Sequence, residues 1–242
     1  MIIAIVNQHS SPERTVVARN LAVLRARAGR RVCLMTTAGN GDSDWAEERS
    51  HAGVQPWIET HQVGSRAVKT RLTALRLLFD DILIDAGTRD TDGCRCVLAE
   101  SRLVVVPVRG GALELDLQYR LLARLNGART FNPAMRVLFV AVSGAAGPGV
   151  SERAAVVAHV ARVDDATLAE TVLHAPAATD YGPGRCVSDA ATCDPDAAAE
   201  LRALYDEVYR RQCRWHAPCR RRSVARNLCH AGCHGNRRRK SR

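Results

Sequence analysis

Seven residues, His9-Ser10-Ser11-Pro12-Glu13-Arg14-Thr15, stand between a short apolar run (Ile2 to Val6) and a stretch of helical periodicity carrying Val16, Val17, Leu21 and Leu24. A loop so placed, after a strand and before a helix, is where backbone N–H groups converge on a phosphate. Loops of that kind are built from glycine, because a Cβ obstructs the approach of the anion. This one contains none. Ser10 and Ser11 substitute only in part, with negative φ. Glu13 sets a carboxylate where phosphate charge would sit. Arg14 keeps a positive charge, but its wide guanidinium fork does not replace a compact ammonium in a tight loop. Thr15 offers a hydroxyl of the kind that reaches Mg²⁺.

Other residues mark candidate chemistry further along. Asp85 ends the apolar strand DILID, and an aspartate at the carboxyl end of a buried parallel strand faces the ligand crevice of an open α/β sheet. It reads either as a water-mediated Mg²⁺ ligand or as a cap for the next loop. Arg89 and Asp90 read as a local ion pair. Asp194-Pro195 has the form of a helix start, an N-cap aspartate before a first-turn proline. The loop GAAGPG (Gly144 to Gly149) lacks the Lys-Ser/Thr of a phosphate loop and reads as a connection. Near the end, Cys213, His216, Cys219, Cys229, His230, Cys233 and His234 fall within 22 residues. Zn²⁺ takes four such ligands, but the spacings C-x5-C and C-x3-C match no familiar finger, so zinc is not expected in the tail.

The elements that must position these groups alternate. After the first helix a second strand begins near Arg31, and Thr36 to Trp45 is a turn-rich loop into a short helix ending near Ser50. His51 to Ser65 looks irregular, followed by a helix from about Arg66 to Phe79. Strand Asp81 to Asp85, the buried run Leu103 to Val108 and strand Arg136 to Val142 come next, separated by helices, one of them Leu113 to Asn126. A helix from about Ser151 to Val163, a strand near Glu170 to His174 and a helix from Asp196 to Arg211 complete the body. Continuous apolar strands alternating with helices predict an open, mostly parallel sheet covered by helices on both faces.

The opening MIIAIVNQ, the segment VARNLAVLRARAGRRVCL, the strand LLFDDILIDAGTRD, the run LVVVPV and the stretch DPDAAAELRALYDEVYRR together resemble the ParA/MinD-type partition ATPases, over residues 1 to 212. That family's deviant Walker A loop reads Lys-Gly-Gly-Val-Gly-Lys-Thr-Thr. Against it His9 stands for the first lysine, Ser10 and Ser11 for the glycine pair, Pro12 and Glu13 for Val-Gly, Arg14 for the phosphate-binding lysine and Val16 for the last threonine. Thr15 alone matches. The resemblance implies a P-loop NTPase-like fold, with ATP bound by His9, Ser10, Ser11, Glu13, Arg14, Thr15 and Val16, Mg²⁺ held through Thr15 and Asp85, and Asp194 and Pro195 near the adenine. It also implies a homodimer, association with DNA and a ParB-like partner. The family's second strand ends Asp-x-Asp-Pro-Gln, whereas here Thr36-Thr37-Ala38-Gly39-Asn40 carries no carboxylate. With metal-positioning groups gone, hydrolysis is expected to be absent or very slow, leaving two expectations: a weakened partition ATPase, or a non-catalytic relative that binds DNA or a partner.

Composition narrows the setting. The chain has 242 residues, 46% hydrophobic, 25% charged and 4% aromatic, so its core must be aliphatic. No apolar run reaches the ~20 residues of a membrane-spanning helix, and the start lacks the basic region of a signal peptide, so a cytoplasmic protein is expected. Net charge is +10, yet residues 213 to 242 hold ten of the 35 Lys and Arg and no acid, leaving 25 basic against 25 acidic in the body. This Arg-rich tail is expected to be a disordered extension that meets nucleic-acid phosphates without sequence preference. Nine cysteines at irregular spacing do not form a disulfide framework.

Overall fold

A computed structural model describes residues 1–7, 12–37, 42–87, 89–109, 115–143, 150–174, 181–189 and 194–209. In chain order the elements are β1 (Ile2–Ile5), α1 (Pro12–Arg27), β2 (Val32–Thr36), α2 (Asp42–His51), β3 (Glu59–Gln62), a 3₁₀ turn (Ser65–Ala67), α3 (Val68–Leu78), β4 (Asp81–Asp85), α4 (Asp92–Glu100), β5 (Leu103–Arg109), α5 (Leu115–Phe131), β6 (Arg136–Ser143), α6 (Val150–Val160), β7 (Ala166–His174) and α7 (Pro195–Tyr209). All seven strands run parallel in the order β3-β2-β4-β1-β5-β6-β7.

The apolar runs become strands because both faces of the sheet are covered. Successive residues of β1 divide between two cores: Ile2 and Ala4 join Met35, Ile84 and Val104 under α3 to α6, whereas Ile3 and Ile5 join Leu34, Leu83 and Val105 under α1, α2 and α7. Helix α1 starts on Pro12, whose missing N–H costs nothing at a first turn, and its buried stripe is Val17, Ala18, Leu21 and Ala22. It stops where Gly29 takes φ 78°, the left-handed conformation that ends helices.

Two departures from the sequence reading have physical causes. Glu59–Gln62 is a strand and not irregular chain, held at the sheet edge by backbone pairing with β2, so its polar side chains give no apolar signal. Helix α5 runs through Gly127 to Phe131 and does not stop at Asn126, because Ala128 packs into the core one residue beyond the glycine. The basic tail from residue 213 on lies outside the described residues.

At the other edge β7 slips register against β6: Phe139 faces Leu168, but Ala141 faces Val172. The extra backbone donors are taken by α7, where the buried carboxylate of Glu207 accepts from Glu170 N at 3.0 Å and Thr171 N at 2.7 Å.

A buried arginine ties the remote segments together. Arg49 of α2 is fully buried, and each of its five donors is used: Nη1 and Nη2 hold Asp189 at 2.5 and 3.0 Å, Nη1 also reaches Gly184 O at 3.0 Å, Nη2 reaches Gln55 O at 2.9 Å, and Nε reaches Pro56 O at 2.7 Å. Its guanidinium also lies 5.5 Å from the ring centroid of Trp45. Gly184 is required here, since φ is 64° and a Cβ would stand 2.0 Å from the Arg49 nitrogen. Burial pushes the Asp189 carboxyl up, but hydrogen bonds from Arg49 and Cys186 outweigh this and leave it below the ordinary carboxylate range.

Removing one member of a buried, fully bonded pair costs about 3–5 kcal/mol. Arg49→Met is therefore expected to lower unfolding free energy at pH 7 by about that amount in urea titrations. Because the folded Asp189 pKa is depressed, its stabilisation is present above the unfolded carboxylate value of about 3.9 and lost as pH falls through the folded value. The gap between wild type and variant should accordingly narrow in acid; a gap constant between pH 7 and pH 3 would remove Asp189 as the partner that matters.

Candidate functional site

The site forms where the connections from adjacent strands leave in opposite directions. The chain after β1 runs through α1 toward β2, whereas the chain after β4 runs through α4 toward β5 on the other side of β1. Crevices at such switch points, outside the carboxyl ends of the strands, are where open α/β sheets bind ligands. Asp85 stands there, its Cα in register with Ile5 of β1 and Thr36 of β2. The head of α1 brings Arg14 and Thr15 against it, with Glu13 beside them in sequence.

Three of these side chains, Arg14, Thr15 and Asp85, bind one another. Arg14 Nε donates to Asp85 Oδ1, and Thr15 Oγ1 donates to Asp85 Oδ2 at 2.6 Å, so both carboxylate oxygens are occupied. Arg14 and Asp85 are 3% and 0% exposed, which makes this a buried ion pair and not a surface contact. Arg14 Nη1 is also buried and has no hydrogen-bond partner among the described residues. Glu13, likewise buried, accepts from Arg109 at the end of β5. The charges that a phosphate and a divalent ion would meet are thus already compensated inside the protein.

Of the residues singled out from sequence, Glu13, Arg14, Thr15 and Asp85 come together. Val16 is half-buried beside them and lines a cavity at the carboxyl ends of β5, β6 and β7. That cavity is small, about 60 Å³, against the roughly 300–1,000 Å³ of pockets that enclose small molecules. His9, Ser10 and Ser11 lie outside the described residues. Asp194 caps α7, its Oδ1 accepting from Ala197 N at 3.0 Å, with Pro195 as the first helical residue. In the stretch without carboxylates, Thr37 Oγ1 accepts from Gly87 N at 2.8 Å and so ties the ends of β2 and β4. Asp90 pairs with Arg95, at 3.0 Å through both oxygens, and not with Arg89 as its neighbour in sequence suggested. Arg109 was missed; its only signal was a charged residue closing an apolar strand.

An ATP·Mg²⁺ group does not fit these residues. Among the described residues, the carboxylate placed to hold a metal, Asp85, is paired with Arg14, and Glu13 stands at the positive end of α1. Among the described residues no cluster of His, Cys, Asp and Glu could hold a metal ion. The described cysteines Cys33, Cys94, Cys96 and Cys186 are free, and burial pushes the thiols of Cys33 and Cys186 up to about 12, which keeps them protonated. No described helix is long and apolar enough to cross a membrane.

No protein-family model and no curated protein sequence matches the chain. Solved structures do. A plasmid partition protein from Borrelia burgdorferi bound to AMPPNP is similar at a TM-score of 0.62, with 13% identity over 87% of this chain and 98% of that one. The cell-division protein MinD from Aquifex aeolicus gives 0.60, with 13% identity over 86% and 96%. A cobyrinic acid a,c-diamide synthase from Mycobacterium smegmatis, with an ATP analogue and magnesium bound, gives 0.61, with 16% identity over 89% and 95%. A fold hosts more than one chemistry, and these three include a synthase beside the partition and division proteins. What they share with this chain is the parallel sheet and its flanking helices: the chain has the P-loop NTPase-like fold of the ParA/MinD-type partition ATPases.

Proposed function

We propose that the chain is a ParA-like partition protein whose phosphate and metal positions are closed by their own side chains, so that it serves as a binding module for DNA or a partition partner and not as an ATPase. One observation carries this reading: Arg14 and Thr15 occupy both oxygens of Asp85 in a buried cluster. To admit a nucleotide, Arg14 would have to abandon a buried counterion, and Glu13 would then face the incoming phosphates. Phosphoryl transfer depends almost wholly on positioning and on electrostatic stabilisation by metal and cations. Among the described residues, Arg14 and Asp85 are engaged with one another and not free for either role. On this reading the scaffold is cytoplasmic, pairs with a second copy or a ParB-like protein, and meets DNA phosphates through the Arg-rich residues 213 to 242.

Isothermal titration of the full chain with ATP and Mg²⁺ is expected to show no binding tighter than about 100 μM, roughly −5.5 kcal/mol. Tighter binding would overturn the non-catalytic reading.

A second measurement addresses the cluster itself. Asp85→Asn should destabilise the protein by about 3–5 kcal/mol, since it strands Arg14 as a buried unpaired cation. An unchanged melting temperature would mean that Asp85 is not the counterion on which the reading rests.

The tail has a separate test. Deleting residues 213 to 242 should weaken duplex-DNA binding and flatten its dependence on salt, by up to about 0.9 in log–log slope for each phosphate no longer neutralised. An unaltered slope would mean that the tail does not meet DNA.

A further inference from the structure

Helices α4 and α5 leave a groove of about 810 Å³ between them on the face of the sheet away from α1. Its α5 wall is one stripe, because Arg120, Arg124, Gly127 and Phe131 recur at intervals of four, three and four residues. Leu98 and Ala128 form a buried floor, and Gly127 is open, with nothing within 4 Å of where a Cβ would stand. The two ends differ. One collects Arg89, Arg95, Arg120 and Arg124 against Asp90, the groove's single carboxylate among the described residues. The other ends on Phe131, which is 82% exposed, where an aromatic ring is ordinarily covered.

The positive end acts on its surroundings. The Asp90 carboxyl is held below the ordinary range, chiefly by the hydrogen bonds from Arg95, against a small effect of burial and with Arg95 and Arg124 adding charge. Asp90 and Asp92 both answer Arg95, whereas Arg89 and Arg120 have no carboxylate partner among the described residues. The stripe from Arg120 to Phe131 spans about 16 Å, or about three helical turns.

We infer that this groove is a docking site for an acidic amphipathic helix of a partner protein, its carboxylates set on the arginine end and an apolar side chain covering Phe131. Charge and shape are complementary at both ends at once. Duplex DNA would engage the arginines but leave Phe131 and the apolar floor in water, so charge alone does not account for the surface. The inference uses neither the head of α1 nor the tail, and it stands apart from the proposed loss of ATP turnover.

The test is fluorescence anisotropy of the full chain with a labelled helix-forming peptide of about 15 residues, glutamates toward one end and leucines toward the other. A control peptide carries lysine for glutamate. The acidic peptide should bind and the lysine peptide should not. Arg89→Glu combined with Arg120→Glu should weaken the acidic peptide about tenfold or more and let the lysine peptide bind, and Phe131→Ser should weaken it several-fold. All three side chains are exposed, so the variants should melt with the wild type. Absence of binding, or binding indifferent to both sets of substitutions, would overturn the inference. So would a duplex that displaces the peptide and itself fails to bind the Arg89→Glu, Arg120→Glu variant, which would make the groove a nucleic-acid surface.

Discussion

A carboxylate has two oxygens, and at Asp85 both are engaged by α1. Much of the upper end of the sheet follows from this. The pairing docks Arg14 and Thr15 of α1 on Asp85, which lies in register with Ile5 and Thr36, and leaves Glu13 to find Arg109 on β5. A buried ion pair to β4 and a half-exposed one to β5 therefore flank β1 at the head of α1. Desolvating a charge is expensive and is recovered only with good geometry and full hydrogen bonding. Having assembled that geometry internally, the chain has little electrostatic reason to exchange it for a ligand.

The sequence carried most of the fold because most of the fold is written in apolar periodicity. Residues 2–5, 82–84 and 103–108 of β1, β4 and β5 are buried on both faces and stand out as apolar stretches. The four residues Glu59–Gln62 did not stand out, since an edge strand is specified by its neighbour's backbone and not by its own side chains. At the site, spacing was enough to single out Thr15 and Asp85. It could not say where Arg14 points or that Arg109 answers Glu13, because those pairs join residues 71 and 96 positions apart.

The two ends of the sheet are stabilised differently. Above, the ion pairs stand where chemistry would have been; below, Arg49 gathers α2, the segment before β3 and the loop after β7 around Asp189. Every donor of Arg49 is satisfied, whereas Arg14 keeps one buried donor without a partner among the described residues. The lower cluster is thus a finished structural clasp.

The slip in register on β7 has a consequence for assembly. An unpaired strand edge is a template on which another chain can polymerise, and proteins that persist in concentrated solution blunt it. Here one edge is four polar residues long, and the other has its irregular stretch plugged by the carboxylate of Glu207. Both edges are thus poor templates for extending the sheet into a second molecule. Blunt edges of this kind disfavour growth through the sheet and leave the helical faces as the surfaces open to a partner.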